Sequence, residues 1–109
     1  MAHPENARAP RLAGFSVRGS VEFELVAAWP VQAKGDPSYH RTLMEILTVF
    51  GSTLGSGRAI LAGDLNSSTR VLSQSSTHSK FVTAAAALGL VSAYHERAGE
   101  LHGEETVPT

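Results

Sequence analysis

The chain of 109 residues has no cysteine, few aromatic residues, no long apolar run and no excess of charge of either sign. Without cysteine there is no disulfide framework, no thiolate zinc site and no cysteine nucleophile. Nine Lys plus Arg against ten Asp plus Glu give a formal charge of −1, so composition does not predict the basic surface typical of nonspecific nucleic-acid binding. No stretch approaches the roughly 18 apolar residues that span a bilayer, and the N-terminus lacks a signal-like apolar segment. We therefore expect no membrane segment and a cytoplasmic location.

The length corresponds to about one domain, and a hydrophobic fraction of 42% is typical of a globular protein with a modest core. Residues 1–12 carry two prolines and little apolar content, which predicts a disordered tail. Residues 13–109 are expected to hold the folded part. There are no internal repeats.

Hydrophobic periodicity predicts a β-hairpin followed by a strand–helix–strand unit. The hairpin turns near Arg18-Gly19, and its second strand covers 21–29. Apolar residues at helical spacing then predict a helix over 37–53, with Asp36 as its N-cap. The apolar run in 58–63 is typical of a strand covered on both faces. A short crossover of this kind makes the two strands it joins parallel.

The last predicted parallel strand ends in "GDLN", with Gly63 before Asp64 and Asn66 two positions later. Because side chains alternate along a strand, Asp64 and Asn66 are expected to lie on the same side. In open α/β sheets ligands bind at the carboxyl ends of the strands. The position therefore predicts either a turn or a functional site, and a turn-forming aspartate remains an alternative.

The C-terminal half is predicted to hold one further helix. It covers 77–88, with Ser76 or Thr77 as its cap, and it ends at Gly89. The segment "LVSAYH", residues 90–95, is expected to be a short strand or extended, and the remainder is predicted to be loop.

Two other kinds of site are not favoured by spacing. The glycines of "GSTLGSGR" lack the lysine and the spacing of a phosphate-binding loop, and the serines of 67–76 lack the G-x-S-x-G turn of a nucleophile. The segment "HERAGELH" brings two histidines and two glutamates, but it is not H-E-x-x-H. Gly99 would interrupt the helix needed to set ligands one turn apart. A zinc site is therefore not predicted from His95, His102, Glu96 and Glu100.

The G-D-L-N motif after an apolar strand resembles the signature of the endonuclease/exonuclease/phosphatase (DNase I-like) superfamily. "FELVAAWPV" resembles the preceding family strand, and "HRTLMEIL" resembles the crossover helix. The "LGLVSAYH…G…G.E…PT" stretch is similar to that of a bacterial branch. The resemblance covers about residues 21–109.

The resemblance implies a fragment of a four-layer α/β sandwich, namely a β-hairpin and then βαβ-α-β, incomplete at both ends. It implies a metal-dependent phosphoester hydrolase that uses Mg²⁺ or Mn²⁺ on a nucleic acid or a small phosphoester. Asp64 would orient or deprotonate the attacking water, or contact the metal, and Asn66 would hydrogen-bond the scissile phosphate. A carboxylate is a hard oxygen ligand and a base, and a carboxamide can donate to a phosphoryl oxygen.

The family also carries an Asn and a metal-binding Glu on early strands and an Asp-His pair at the end of the domain, which this chain does not show. Its upstream N-x-H position is Ala28-Trp29-Pro30 here, and Glu22 and Glu24 are poor substitutes for the missing acid. We therefore expect little activity from the chain alone. The alternative is a noncatalytic α/β remnant or interaction module. In either case an uncovered sheet surface would favour self-association.

Overall fold

The computed structural model describes residues 1–2, 11–30, 39–65, 75–102 and 104–106. These residues form a small α/β fold with a three-stranded mixed sheet and three helices. The chain divides into two compact units, Met1–Asn66 with the sheet and the first helix, and Ser67–Thr109 with the other two helices. In chain order the elements are β1 (Leu12–Val17), β2 (Phe23–Ala28), α1 (Tyr39–Leu54), β3 (Ala59–Gly63), α2 (Ser75–Ala87) and α3 (Ala93–Ala98). None of the helices in the described ranges is long and apolar enough to cross a membrane.

The sheet has the strand order β1-β2-β3. β1 and β2 form the predicted antiparallel hairpin, and β2 and β3 pair in parallel across the crossover that contains α1. The hairpin and the parallel pair are therefore confirmed. β2 is shorter than the predicted strand 21–29, since Val21 and Glu22 precede it and Trp29 follows it.

The predicted tail differs from the structure at both of its ends. Leu12 begins β1 and is buried. At the other end Ala2 forms an isolated bridge with Phe15, and the backbones of Met1 and Ser16 exchange hydrogen bonds of 2.7 Å. The middle of the predicted tail, residues 3–10, lies outside the described residues.

One face of the sheet is covered by α1, which packs against β2 and β3. On this face Val26 and Ala28 are 0% and 3% exposed. The helix contributes four side chains at helical spacing that are nearly inaccessible, namely Leu43, Ile46, Phe50 and Leu54. This is the apolar stripe expected from the sequence, with Leu47 half-buried beside it. The helix is kinked at Phe50 (φ −110°, ψ 15°), next to Gly51, and glycine is a common cause of such kinks. The predicted N-cap Asp36 lies outside the described residues.

The other face of the sheet is apolar throughout, yet much of it is accessible to solvent. The register places Phe15, Leu25 and Ile60 in one row across the three strands. Phe15 is 37% exposed and Ile60 is 48% exposed. The strand residues of this second face are all apolar: Ala13, Phe15, Val17, Phe23, Leu25, Ala27, Ile60 and Ala62. The prediction that the strand 58–63 is covered on both faces is therefore wrong, because α1 covers one face of β3 whereas Ile60 and Ala62 on the other face are exposed.

The second unit contains α2 and α3. α2 begins at Ser75, so Ser76 and Thr77 lie inside it and are not its cap. Phe81 is its buried apolar residue. The helix ends before Gly89, as predicted, and the φ of +88° at this position is favourable for glycine.

The prediction of a strand or extended segment over 90–95 is wrong for its last residues, which begin α3. Ser92 caps this helix by accepting a hydrogen bond from the backbone N–H of His95, and Gly99 ends it in the left-handed conformation with φ +69°. These two caps allow a helix of only six residues to form between them.

Candidate functional site

Asp64 lies at the carboxyl edge of the parallel pair, as the sequence predicts. It follows the end of β3 and its side chain is exposed. An open depression of about 280 Å³ lies at the same end of the strands, lined by Arg11, Leu12, Ala13, Ala27, Ala28, Trp29 and Gly63. The Arg11 guanidinium lies 5.6 Å from the centre of the Trp29 ring. The second predicted site residue, Asn66, lies outside the described residues, so its position relative to Asp64 remains a prediction.

The position directly before Asp64 has no room for a side chain, and it is occupied by Gly63. It pairs with Ala28 in the parallel ladder and has φ +139°, a conformation that L residues with side chains rarely adopt. A Cβ atom built on Gly63 would overlap the backbone carbonyl of Ala28. The two strand ends therefore approach each other closely because residue 63 is glycine.

The described residues at this edge do not fit a tight Mg²⁺ or Mn²⁺ site. Asp64 supplies one carboxylate, whereas the residues that end β2 and follow it, Ala28, Trp29 and Pro30, offer no side-chain oxygen. Mg²⁺ demands near-octahedral oxygen coordination and dehydrates reluctantly. A single exposed carboxylate would therefore hold it weakly.

The two glutamates of the hairpin do not supply the missing ligands. Glu22 precedes β2 and Glu24 lies near its start, at the opposite end of the strand from Asp64. Glu22 lies 3.9 Å from Arg18 and 3.8 Å from Arg58. Glu24 accepts a hydrogen bond of 2.7 Å from the Ser16 hydroxyl. Both carboxylates therefore belong to the polar turn end of the sheet.

A different cluster forms in the second unit, where the chain turns back after α3. His95 and Glu105 are in contact, with Nε2 of the imidazole 2.8 Å from Oε1 of the carboxylate. Their side chains are 14% and 3% exposed. The His102 ring stacks on that of His95 with centroids 3.7 Å apart and an interplanar angle of 22°. The ligand atoms of these three residues all lie within 4.8 Å of one another.

Hydrogen bonds on both sides fix this cluster. Ser92, the cap of α3, places its hydroxyl 2.6 Å from Nδ1 of His95, so both ring nitrogens of His95 are engaged. Glu100 holds the returning segment, because it accepts hydrogen bonds from the Tyr94 hydroxyl at 2.7 Å and from the Thr106 hydroxyl at 2.6 Å. Glu100 thereby links α3 to the residue that follows Glu105.

Partial desolvation favours the neutral form of two histidines, His102 of this cluster and the neighbouring His78. The pKa of His102 lies below its usual value of 6.5, chiefly because the ring, although exposed at the surface, is partly desolvated, and then because of the nearby His95, while Glu105 opposes the shift. The pKa of His78 is also lowered, first by burial and then by His102; their rings are 6.2 Å apart. A neutral imidazole has a lone pair to offer a metal ion. The lowered pKa values therefore favour the form of His78 and His102 that can bind a metal ion.

Comparison with known proteins assigns a function neither to the sheet edge at Asp64 nor to the cluster of His95, His102 and Glu105. No protein-family model, curated protein or solved structure matches the chain.

Two members of the cluster, His95 and His102, lie in the "HERAGELH" segment for which no metal site was predicted, and the third lies outside that segment. Gly99 does end the helix after His95, as expected, but the turn that it permits returns the chain so that His102 stacks on His95. Of the two glutamates considered from the sequence, Glu96 is exposed and Glu100 is bound to Tyr94 and Thr106. The acid that joins the histidines is Glu105. A helix-based spacing rule cannot find this residue because the contact is made across a turn.

Proposed function

We propose that the chain is part of a metal-dependent phosphoester hydrolase of the endonuclease/exonuclease/phosphatase kind and that Asp64 belongs to its catalytic machinery. The observation that carries the proposal is the position of the Gly63-Asp64 pair, which ends an edge strand parallel to β2. This is the edge at which open α/β sheets bind ligands. The exposed carboxylate is accessible to a substrate.

The second face of the sheet supports the four-layer sandwich that the resemblance implies. In a two-sheet sandwich each sheet carries helices on its outer face and packs its inner face against the other sheet. Here α1 covers one face, and the opposite face has only apolar strand residues although Phe15 and Ile60 remain accessible. Such a face is suited to burial against a second sheet. It also supports self-association, since an exposed apolar sheet surface favours contact with another copy.

Asp64 would act on the attacking water as a base or as an orienting acceptor, and Asn66 would donate a hydrogen bond to a phosphoryl oxygen. A bound Mg²⁺ or Mn²⁺ would supply Lewis acidity in an enzyme of this class. The described residues around Asp64 offer that ion few ligands. We therefore propose weak activity of this chain towards a nucleic acid or a small phosphoester.

The test measures hydrolysis of bis-(p-nitrophenyl) phosphate with Mn²⁺ or Mg²⁺. We expect slow, metal-dependent turnover, and we expect Asp64→Asn to reduce it by a factor of about 10² or more, as for loss of a positioned base. Asn66→Ala should also reduce it. Glu22→Gln is the matched control, because it removes another exposed carboxylate from the opposite end of β2 and should leave the rate unchanged.

A second readout detects binding even if turnover is too slow to measure. In a Glu105→Gln background, which removes one acid from the histidine cluster, Mn²⁺ at millimolar concentration should broaden the backbone amide signals of residues 63–65. Asp64→Asn should abolish the broadening. If neither the broadening nor any turnover depends on Asp64, the hydrolase proposal fails and the noncatalytic alternative, an interaction module, is supported.

A further inference from the structure

We propose that His95, His102 and Glu105 form a binding site for Zn²⁺, with a fourth coordination position left to water. The site is independent of the hydrolase proposal, since its residues belong to the Ser67–Thr109 unit and Asp64 belongs to the other unit. Two imidazoles and one carboxylate make a donor set that Zn²⁺ takes in sites that keep one position open. Mg²⁺ prefers oxygen ligands alone, so this cluster selects against it.

The distances require only small movements. Ligand atoms around a tetrahedral Zn²⁺, with bonds of about 2.0–2.1 Å, lie about 3.3 Å from one another. His95 Nε2 and Glu105 Oε1 are 2.8 Å apart, so they would separate by about half an ångström to admit the ion. His102 must approach further, because the three ligand atoms are within 4.8 Å of one another rather than in contact. Its side chain is exposed, so a rotation out of the stack disturbs little packing.

The surroundings of His95 orient it as a metal ligand. A metal-bound histidine generally uses its second ring nitrogen in a hydrogen bond that fixes the ring and its tautomer. Here Nδ1 lies 2.6 Å from the Ser92 hydroxyl, and the capping position of Ser92 on α3 holds that hydroxyl in place. Without an ion, Nε2–H donates to Glu105 and Nδ1 accepts from the Ser92 hydroxyl. With an ion bound, the ring proton would lie on Nδ1 and be donated to Ser92, and the Nε2 lone pair would be directed towards the ion. Nε2 is therefore the expected ligand atom.

Burial of Glu105 is the second observation that indicates a cation. Its side chain is 3% exposed, and burial of a carboxylate is costly unless positive charge and hydrogen bonds compensate it. His95 contacts one carboxylate oxygen, and the other oxygen, Oε2, is also buried. A divalent ion between the carboxylate and the two imidazoles would compensate the charge fully. Without an ion, the same contact is a hydrogen-bonded His–Glu pair that fastens the returning segment to α3.

The test titrates the whole chain with Zn²⁺ by calorimetry and with Co²⁺ by visible absorption. We expect one ion per chain and the intense absorption bands of four-coordinate Co²⁺. Glu105→Gln and His102→Ala should each weaken Zn²⁺ binding at least about tenfold, since loss of even outer-shell partners weakens metal sites by that amount. Glu104→Gln is the matched acid control, being the exposed neighbour in sequence, and His40→Ala is the histidine control from α1.

Circular dichroism of the metal-free variants separates loss of a ligand from loss of the fold. His102→Ala changes an exposed side chain and should keep the native spectrum, so it tests the site even if Glu105→Gln unfolds. Equal Zn²⁺ affinity in the native chain and in folded His102→Ala would overturn the proposal. So would a Co²⁺ spectrum that matches the hydrated ion. The cluster would then be the hydrogen-bonded pair alone.

Discussion

Replacement of Gly63 by alanine tests whether the close approach of β2 and β3 places Asp64. Two costs add in Gly63→Ala. The first is the backbone conformation, since a side chain at φ +139° costs about 1–3 kcal/mol. The second is the overlap of the new Cβ with the Ala28 carbonyl, which is backbone and cannot rotate away; forced displacement of packed atoms costs about 1–3 kcal/mol more. We expect a loss of about 2–6 kcal/mol from a total stability of about 5–15 kcal/mol.

Two other glycines of the same unit separate these costs. Gly57 has φ +86° but open space around a Cβ, so Gly57→Ala should cost about 1–2 kcal/mol from the backbone alone. Gly51 lies in α1 with open space and no positive φ, so Gly51→Ala should stabilise the protein by about 0.5–1 kcal/mol. Urea unfolding followed by circular dichroism measures all three. With a slope of about 1–3 kcal/mol per molar urea, Gly63→Ala should lower the midpoint by about 1 M or more.

A midpoint for Gly63→Ala equal to that of Gly57→Ala would refute the reasoning, because it would show that the β2 end does not crowd residue 63. A midpoint equal to that of Gly51→Ala would show that neither the backbone conformation nor the overlap with Ala28 destabilises the variant. In the expected case, the amide signal of Asp64 should also shift in the folded fraction of Gly63→Ala.

Two further predictions concern the returning segment and the sheet surface. The pKa of Glu100 is lowered from 4.5, first by the hydrogen bond from the Thr106 side chain and then by that from Tyr94. Because the pKa is lower in the folded than in the unfolded chain, the ionised Glu100 stabilises the fold above pH 4.5. This stabilisation is lost as the pH falls through the folded pKa. Carboxyl NMR titration should give a Glu100 midpoint below 4.5, and a midpoint at or above that value would contradict the hydrogen-bonded arrangement. Ile60→Lys, at a 48% exposed position of the apolar face, should reduce concentration-dependent light scattering, whereas Ser52→Lys on the exposed side of α1 should not; equal scattering by both variants would count against self-association through this face.

The first unit could largely be predicted from the sequence because its signals are local and periodic. Leu43, Ile46, Phe50 and Leu54 recur at helical spacing and are the apolar residues that α1 buries. The crossover length then required β3 to be parallel to β2. Periodicity could not tell which faces of the sheet are covered: an apolar run like that of β3 is equally compatible with a covered strand and with an edge strand that has one accessible apolar face.

The cluster of His95, His102 and Glu105 could not be predicted from the sequence because its geometry depends on a turn. "LVSAYH" contains residues that favour strands, and the caps Ser92 and Gly99 outweigh that propensity over six residues. The position of Glu105 then depends on Glu100, which bonds both Tyr94 and Thr106. Such contacts depend on the tertiary structure, and they cannot be predicted from residue spacing or composition.

The strand order has a consequence for the sequence of events in folding. β1 and β2 are joined by the short turn at 18–22, whereas β2 and β3 are separated by residues 29–58. Closing a longer loop costs more entropy, so local pairings form earlier than distant ones. We therefore expect the hairpin to form first and β3 to dock only once α1 is in place. The Asp64 edge would be the last part of the sheet to assemble and the first to open, so its geometry depends on the stability of α1 as much as on its own residues.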